Sequence, residues 1–187
     1  MLDYHIPEEF LSDLETVQLE DLRSDAEILA SLREYRPVTS ERNIWAYWHG
    51  GVDGLPPWCL RNVLDWVRIC GPTWTIRIVD KVPGSNTHWS KFAPKEMLPK
   101  TFVEDTMTGP YTGPHSADFL RGALLYSHGG VNLDVGCIML RDVDRMVWAK
   151  LEDETSPYEV AVPLMYGEVI ANHMVAARKG NPFIKRW

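Results

Sequence analysis

Three side chains stand where chemistry could be done. Residues 115–136 read HSADFLRGALLYSHGGVNLDVG. Asp118 and Arg121 are three residues apart, so on a helix they share one face. Gly129 and Gly130 break that helix, and the short apolar run at residues 131–133 delivers Asp134 at its end. In open α/β sheets, ligands bind beyond the carboxyl ends of the strands. A carboxylate in that place can hold a divalent cation, and the cation can neutralise a diphosphate. The local alternatives are an Asp134 that caps the next turn and an Asp118–Arg121 surface ion pair that is worth little to stability. Acid–base pair, double glycine and strand-end acid taken together favour a site for a charged small ligand.

The elements that must position these groups follow from periodicity. Phe119, Leu120, Ala123 and Leu124 form the inward stripe of the helix, and Gly122 and Leu125 share the face of Asp118 and Arg121. Ser116 is placed to cap it, with Asp118 in the first turn, where an acid suits the dipole. Gly129 or Gly130 would take the left-handed position after its end. Upstream, residues 43–48 (NIWAYW) read as a buried strand ending at His49-Gly50-Gly51. Pro57 opens a helix with Trp58, Val63, Leu64, Val67 and Ile69 as apolar positions, and Gly71-Pro72 stops it. Residues 74–79 (WTIRIV) alternate as a second strand that ends on Asp80. Strand, helix, strand in this order implies a right-handed crossover and a parallel pair.

Residues 81–113, rich in Pro, Gly, Thr and Lys, read as a long surface excursion with short helices. Residues 131–133 make a third strand, 137–140 a fourth, and 158–163 and 169–176 further ones. Residues 7–35 are acidic and helical in pattern, with Phe10, Leu11, Leu14 and Val17 in one stripe and Ile28, Leu29 and Leu32 in another after the N-cap candidate Ser24. Asp144 is placed to cap a late helix. Asn181 and Pro182 begin a last one, which the chain cuts after about one turn. The predicted organisation is an α/β fold with an N-terminal helical extension and linker (residues 1–42) and one domain (residues 43–187), expected to be C-terminally incomplete.

Composition excludes several classes. The 187 residues suffice for one α/β core, with 45% hydrophobic and 24% charged residues. A net charge of −7 without a basic run argues against nucleic acid or an anionic membrane as partner. Cys59, Cys70 and Cys137 are odd in number and form no CxxC, so neither a disulfide framework nor a zinc site is indicated. The start, MLDYHIPEEF, is no signal peptide, and no segment is long enough to span a bilayer. On this chain alone the expectation is a cytoplasmic protein, with Golgi or membrane association requiring an anchor elsewhere. No GxSxG, GxGxxG or Walker A run occurs, so acyl-hydrolase, dinucleotide and P-loop readings fall away. His115, His128 and His173 match no metal-ligand spacing, and His128 in a last helical turn is placed to be a cation. Eight tryptophans suit an aromatic core or the stacking of ligand rings.

Residues 115–136 also resemble the "SD-x-x-R … L-Y-x-x-G-G-x-Y-x-D-x-D" signature of sugar-transferring glycosyltransferases with a DxD motif. The likeness is greatest to fungal-type members of the capsular polysaccharide synthesis group. Residues 43–80 are similar to that group's first strand–helix–strand, and NHMVAARKGNPFIKRW is similar to a downstream segment; the resemblance spans roughly residues 43–187. It implies a GT-A type fold, with a Rossmann-like, mostly parallel sheet flanked by helices. It implies a glycosyltransferase moving a sugar from a nucleotide-sugar donor to a glycan or polysaccharide acceptor. By motif, Asp134 would be the first DxD acid, near ribose or a divalent cation (Mn²⁺ or Mg²⁺), and Asp118 and Arg121 would contact donor sugar or phosphates. Trp48 and His49 would lie near the base, Asp80 would close the same crevice, and Asn172 matches a polar position. The second DxD position is Gly136, which cannot ligate a metal. A catalytically degenerate relative that binds only nucleotide, glycan or a partner is the competing expectation.

Overall fold

The computed structural model describes residues 7–9 and 19–186. In chain order its elements are α1 (Asp25–Leu32), β1 (Asn43–Tyr47), α2 (Pro57–Cys70), β2 (Thr75–Val79), α3 (Lys100–Val103), α4 (Thr112–His128), β3 (Gly130–Leu133), α5 (Ala149–Glu152), β4 (Val160–Ala161), β5 (Leu164–Met165), β6 (Val169–Ile170), β7 (Met174–Ala177) and α6 (Pro182–Arg186). Five strands form one sheet in the order β2-β1-β3-β7-β4. β1 pairs in parallel with β2 and β3, while β7 runs antiparallel to both β3 and β4. Four of the five strands therefore point the same way, as expected of a mostly parallel sheet.

The sheet is covered on both faces, which explains why NIWAY carries almost no exposed residue. Ile44, Ala46, Ile76, Ile78, Val131 and Leu133 face α1 and α2 in one core. Trp45, Val79, Val175 and Ala177 face Leu120, Ala123, Leu124 and Leu125 of α4, Phe102 of α3 and Ile184 of α6 in the other. Pro57 stands at the start of α2, where a missing N–H costs nothing. Ser24 closes a capping box with Glu27 at the start of α1. Asn181 Oδ1 accepts from the amides of Phe183 (2.9 Å) and Ile184 (3.2 Å), making it the cap of α6. The stripe Phe10, Leu11, Leu14 and Val17 lies outside the described residues.

Several expectations are corrected. α4 begins at Thr112, four residues before the expected cap; Ser116 sits inside it and donates its hydroxyl to the Thr112 carbonyl (2.7 Å). Leu125 is fully buried and Phe119 half-exposed, the reverse of the expected faces. The reason is residues 81–113: they bury Trp89, Phe92, Leu98 and Phe102 in the same core as α4, so this is no surface excursion and the helix hides a wider arc. Residues 137–140 form no strand. After a turn closed by Cys137 N–H on the Asp134 carbonyl (2.9 Å), the chain runs to α2, where Trp66 Nε1 donates to the Cys137 carbonyl (3.0 Å). Residues 158–163 yield only the two-residue β4, and 169–176 split into β6 and β7.

Gly129 ends α4 at φ 70°, ψ −173°, and Gly130 follows at φ 108°. The first is not the expected left-handed helical value but an extended positive-φ conformation that only glycine adopts readily. A Cβ on either would also run into backbone, at Lys179 N and Asn43 O respectively. His128 stands in the last turn of α4 as expected, but it is half-buried there: Nε2 donates to the Phe92 carbonyl (2.7 Å), the ring stacks on Trp45 (5.5 Å), and burial pushes its pKa down. Asp144 pairs with Arg42 (2.8 Å) and accepts from Trp74 Nε1 (2.8 Å); it is Asp142 that caps, accepting from the Arg145 amide (2.9 Å).

Candidate functional site

β1, β2 and β3 are parallel, so their carboxyl ends meet at one edge of the sheet. β7 is antiparallel and begins where they end, which brings residues just before it to the same edge. A cavity of about 910 Å³ opens there. Tyr47, Trp48 and His49 line it from the end of β1, Lys81 from beyond β2, and Asn132 and Asp134 from β3. Asp118 and Arg121 line it from α4, and Asn172 from the approach to β7. The size suits a ligand with several functional groups.

Arg121 organises one wall. It is 3% exposed, and its guanidinium reaches three acceptors: Nε to Asn132 Oδ1 (2.9 Å), Nη1 to Asp118 Oδ1 (2.8 Å) and Nη2 to Asp134 Oδ1 (2.9 Å). A planar fork can hold such a set where a lysine could not. Asn172 Nδ2 adds a bond to Asp118 Oδ1 (3.0 Å). The two carboxylates stay open to the cavity, their side chains 39% and 46% exposed. Burial pushes the Asp134 carboxyl above its ordinary range, against the pull of Arg121. The backbone fixes Asp134 as well: its amide donates to the His173 carbonyl (2.8 Å), and Asn62 of α2 holds the next carbonyl, that of Val135 (3.1 Å).

At the other wall Trp48 donates Nε1 to the Gly54 carbonyl (2.8 Å), and its ring lies 5.4 Å from that of His49. Thus Asp118, Arg121, Asp134, Trp48, His49 and Asn172 share one cavity. Asp80 does not join them. It is 2% exposed, and its carboxylate accepts from the Val82 amide (3.0 Å) and the hydroxyls of Ser85 and Thr87 (2.6 Å each), so it braces the loop after β2. Asn132 and Lys81 were not singled out from the sequence. Asn132 carried a signal: a polar residue in a strand buried on both faces must find a partner.

Asp134 has one oxygen on Arg121, and Gly136 supplies none. Among the described residues no three His, Cys, Asp or Glu are grouped to hold a metal. His115, His173 and the expected metal ligand Asp134 form no such group.

No family model matches the chain. It is 52% identical, over its whole length, to a probable glycosyltransferase, FCK3, of Fusarium pseudograminearum, covering 47% of that protein. It is 45% identical to the O-glycosyltransferase braB of Annulohypoxylon truncatum, over 89% of this chain and 41% of that one. It is 46% identical to the glycosyltransferase afumC of Aspergillus fumigatus, over 88% and 44%. The chain spans about half the length of the curated relatives it matches. Its fold is similar to that of the PaToxG glycosyltransferase, with a TM-score of 0.53 at 18% identity, covering 86% of this chain and 63% of that one.

Proposed function

We propose that the chain is the donor-binding part of a glycosyltransferase that moves a sugar from a nucleotide-sugar to a hydroxyl. The observation that carries this reading is the Asp118–Arg121–Asp134 assembly on the wall of a cavity at the carboxyl edge of the sheet. The relatives' names support glycosyl transfer in general, and one of them, braB, is named an O-glycosyltransferase. Residues 43–187 would be the nucleotide-sugar domain and residues 1–42 its extension.

The Trp48–His49 wall offers ring faces to a base. The opposite wall offers carboxylates to sugar hydroxyls. Asp118, fixed by Arg121 and Asn172, would accept from a hydroxyl of the donor sugar. Asp134 would do so at the next position. Arg121 gives three of its five N–H groups to the protein, so its first task is to hold both acids in place. Glycosyl transfer passes through an oxocarbenium-like transition state, which two fixed carboxylates stabilise electrostatically. The pre-set geometry removes the cost of orienting them during reaction.

A second reading has one observation in its favour: Gly136 where a DxD pattern needs an acid. It makes the chain a non-catalytic binder of nucleotide or glycan. Donor hydrolysis by the full-length protein separates the two. Release of free sugar from a nucleotide-sugar, lost in Asp118→Asn, supports the enzyme; binding without release supports the binder. Failure to bind any nucleotide-sugar, nucleotide or glycan removes both.

A further inference from the structure

We infer that Lys81 is the cavity's phosphate-binding cation and that Asp105 holds its place until a nucleoside diphosphate arrives. The inference rests on the nucleotide-sugar reading above and names a residue that reading does not use.

Among the described residues, two cationic side chains line the cavity, Arg121 and Lys81. They face three carboxylates there: Asp105, Asp118 and Asp134. A diphosphate entering such a site must meet positive charge, because an anion stripped of water without a partner is costly. Arg121 is spoken for by Asn132, Asp118 and Asp134 from within the fold. Lys81 differs. Its side chain is 15% exposed, its backbone amide donates to the His49 carbonyl (3.2 Å), and its ammonium lies 4.5 Å from the Phe102 ring centroid. The base of the side chain is thus fixed beside the aromatic wall.

Among the described residues, the carboxylate on that ammonium is Asp105, at 2.6 Å. Asp105 is held much more loosely. Its side chain is 79% exposed, and it follows α3 at φ 56°, a conformation costly for any residue but glycine and, less so, Asn or Asp. A short anionic side chain on an exposed turn is suited to exchange with a ligand oxygen. A phosphoryl oxygen would take the same ammonium protons, and the released carboxylate would return to water. The ammonium then gains a more highly charged partner, while the three-acid cavity loses one acid from the immediate neighbourhood of the diphosphate.

The test is equilibrium binding of uridine and guanosine diphosphates, each beside its nucleoside, to the full 187-residue chain. For the diphosphate that binds, Lys81→Met should weaken affinity about 10-fold or more, the range of a hydrogen bond to a charged group. The matching nucleoside should change less than about twofold. Asp105→Asn, which leaves the fold's buried groups untouched, should tighten the diphosphate severalfold and leave the nucleoside alone. Equal weakening of diphosphate and nucleoside by Lys81→Met, or an Asp105→Asn affinity no better than the parent, would overturn the assignment. Absence of binding by every nucleotide and nucleoside to the parent chain would instead overturn the nucleotide-sugar reading itself.

Discussion

Arg121 Nη2 stands 2.9 Å from Asp134 Oδ1, joining the middle of a helix to the end of a strand thirteen residues later. The contact spans the Gly129-Gly130 break, so the break, the helix and the strand register must all be right for it to form. Asn132, between the glycines and Asp134, receives the same guanidinium. One buried cation therefore sets the positions of three polar groups on the cavity wall.

Replacing Arg121 should weaken both donor binding and the fold. Arg121→Lys keeps the charge but cannot reach three acceptors at once. Donor affinity should fall about 10-fold or more, with a stability loss of about 1–3 kcal/mol. Calorimetry with a nucleotide-sugar and urea unfolding read the two effects separately.

Asp134 should trade stability against function. Burial raises its pKa, so the charged form is disfavoured by folding, and the cost grows as pH rises through the folded value. Asp134→Asn should leave the melting temperature at pH 7.5 unchanged or higher. Sugar transfer or donor hydrolysis should fall about 100-fold, the scale of a lost electrostatic stabiliser. A melting temperature that drops by several degrees would mean that the carboxylate serves the fold.

The site was legible in part. Asp118, Arg121 and Asp134 stood out because their spacing across a helix, a glycine pair and a strand end is hard to explain by packing. The parallel β1–β2 pair was legible because WTIRIV and NIWAYW are short apolar runs on either side of a well-marked helix. Partners at long range were not. Nothing local in the loop after β2 says that Asp80 will turn to Ser85 and Thr87 and away from the cavity. Nor does the sequence say that residues 81–113 bury Trp89 and Phe102, because that depends on α4 lying opposite. The apolar residues Ile138 and Leu140 imitate a strand, yet both are exposed, because β7 already occupies the free side of β3.

His128 predicts an acid-sensitive fold. Its folded pKa is depressed by burial, so the unfolded chain takes up the proton more readily. Stability is then present above the ordinary histidine value of 6.5 and falls as pH drops below it. His88, depressed for the same reason, adds in the same direction. His128→Phe keeps a ring on Trp45 and should flatten the decline between pH 7.5 and 5, measured by urea midpoints.

The glycines should separate cleanly. Gly129→Ala places a Cβ against the Lys179 amide at a positive φ, and should cost about 2 kcal/mol or more. Gly122→Ala, on the same helix, meets nothing within 4 Å and should stabilise by up to about 1 kcal/mol. Thermal unfolding of the two variants side by side tests the claim.

Gly136 is not demanded by the backbone. Its φ is not positive, and a Cβ there would meet only the Trp58 ring, at 3.5 Å. An acid can therefore be accommodated. Gly136→Asp should raise Mn²⁺ affinity about 10-fold or more over the parent, read by the paramagnetic resonance of free Mn²⁺. Equal affinity in both chains would show that the missing carboxylate is not what limits cation binding.

The 910 Å³ cavity at the carboxyl edge of the sheet is proposed as the nucleotide-sugar site. A crystal structure of the chain with a bound nucleoside diphosphate tests it most directly. The base is expected beside Trp48 and His49 and the diphosphate between Lys81 and Asp134. Density for the nucleotide in the second cavity, the 380 Å³ space lined by Arg23, Arg36 and Trp74, would contradict it.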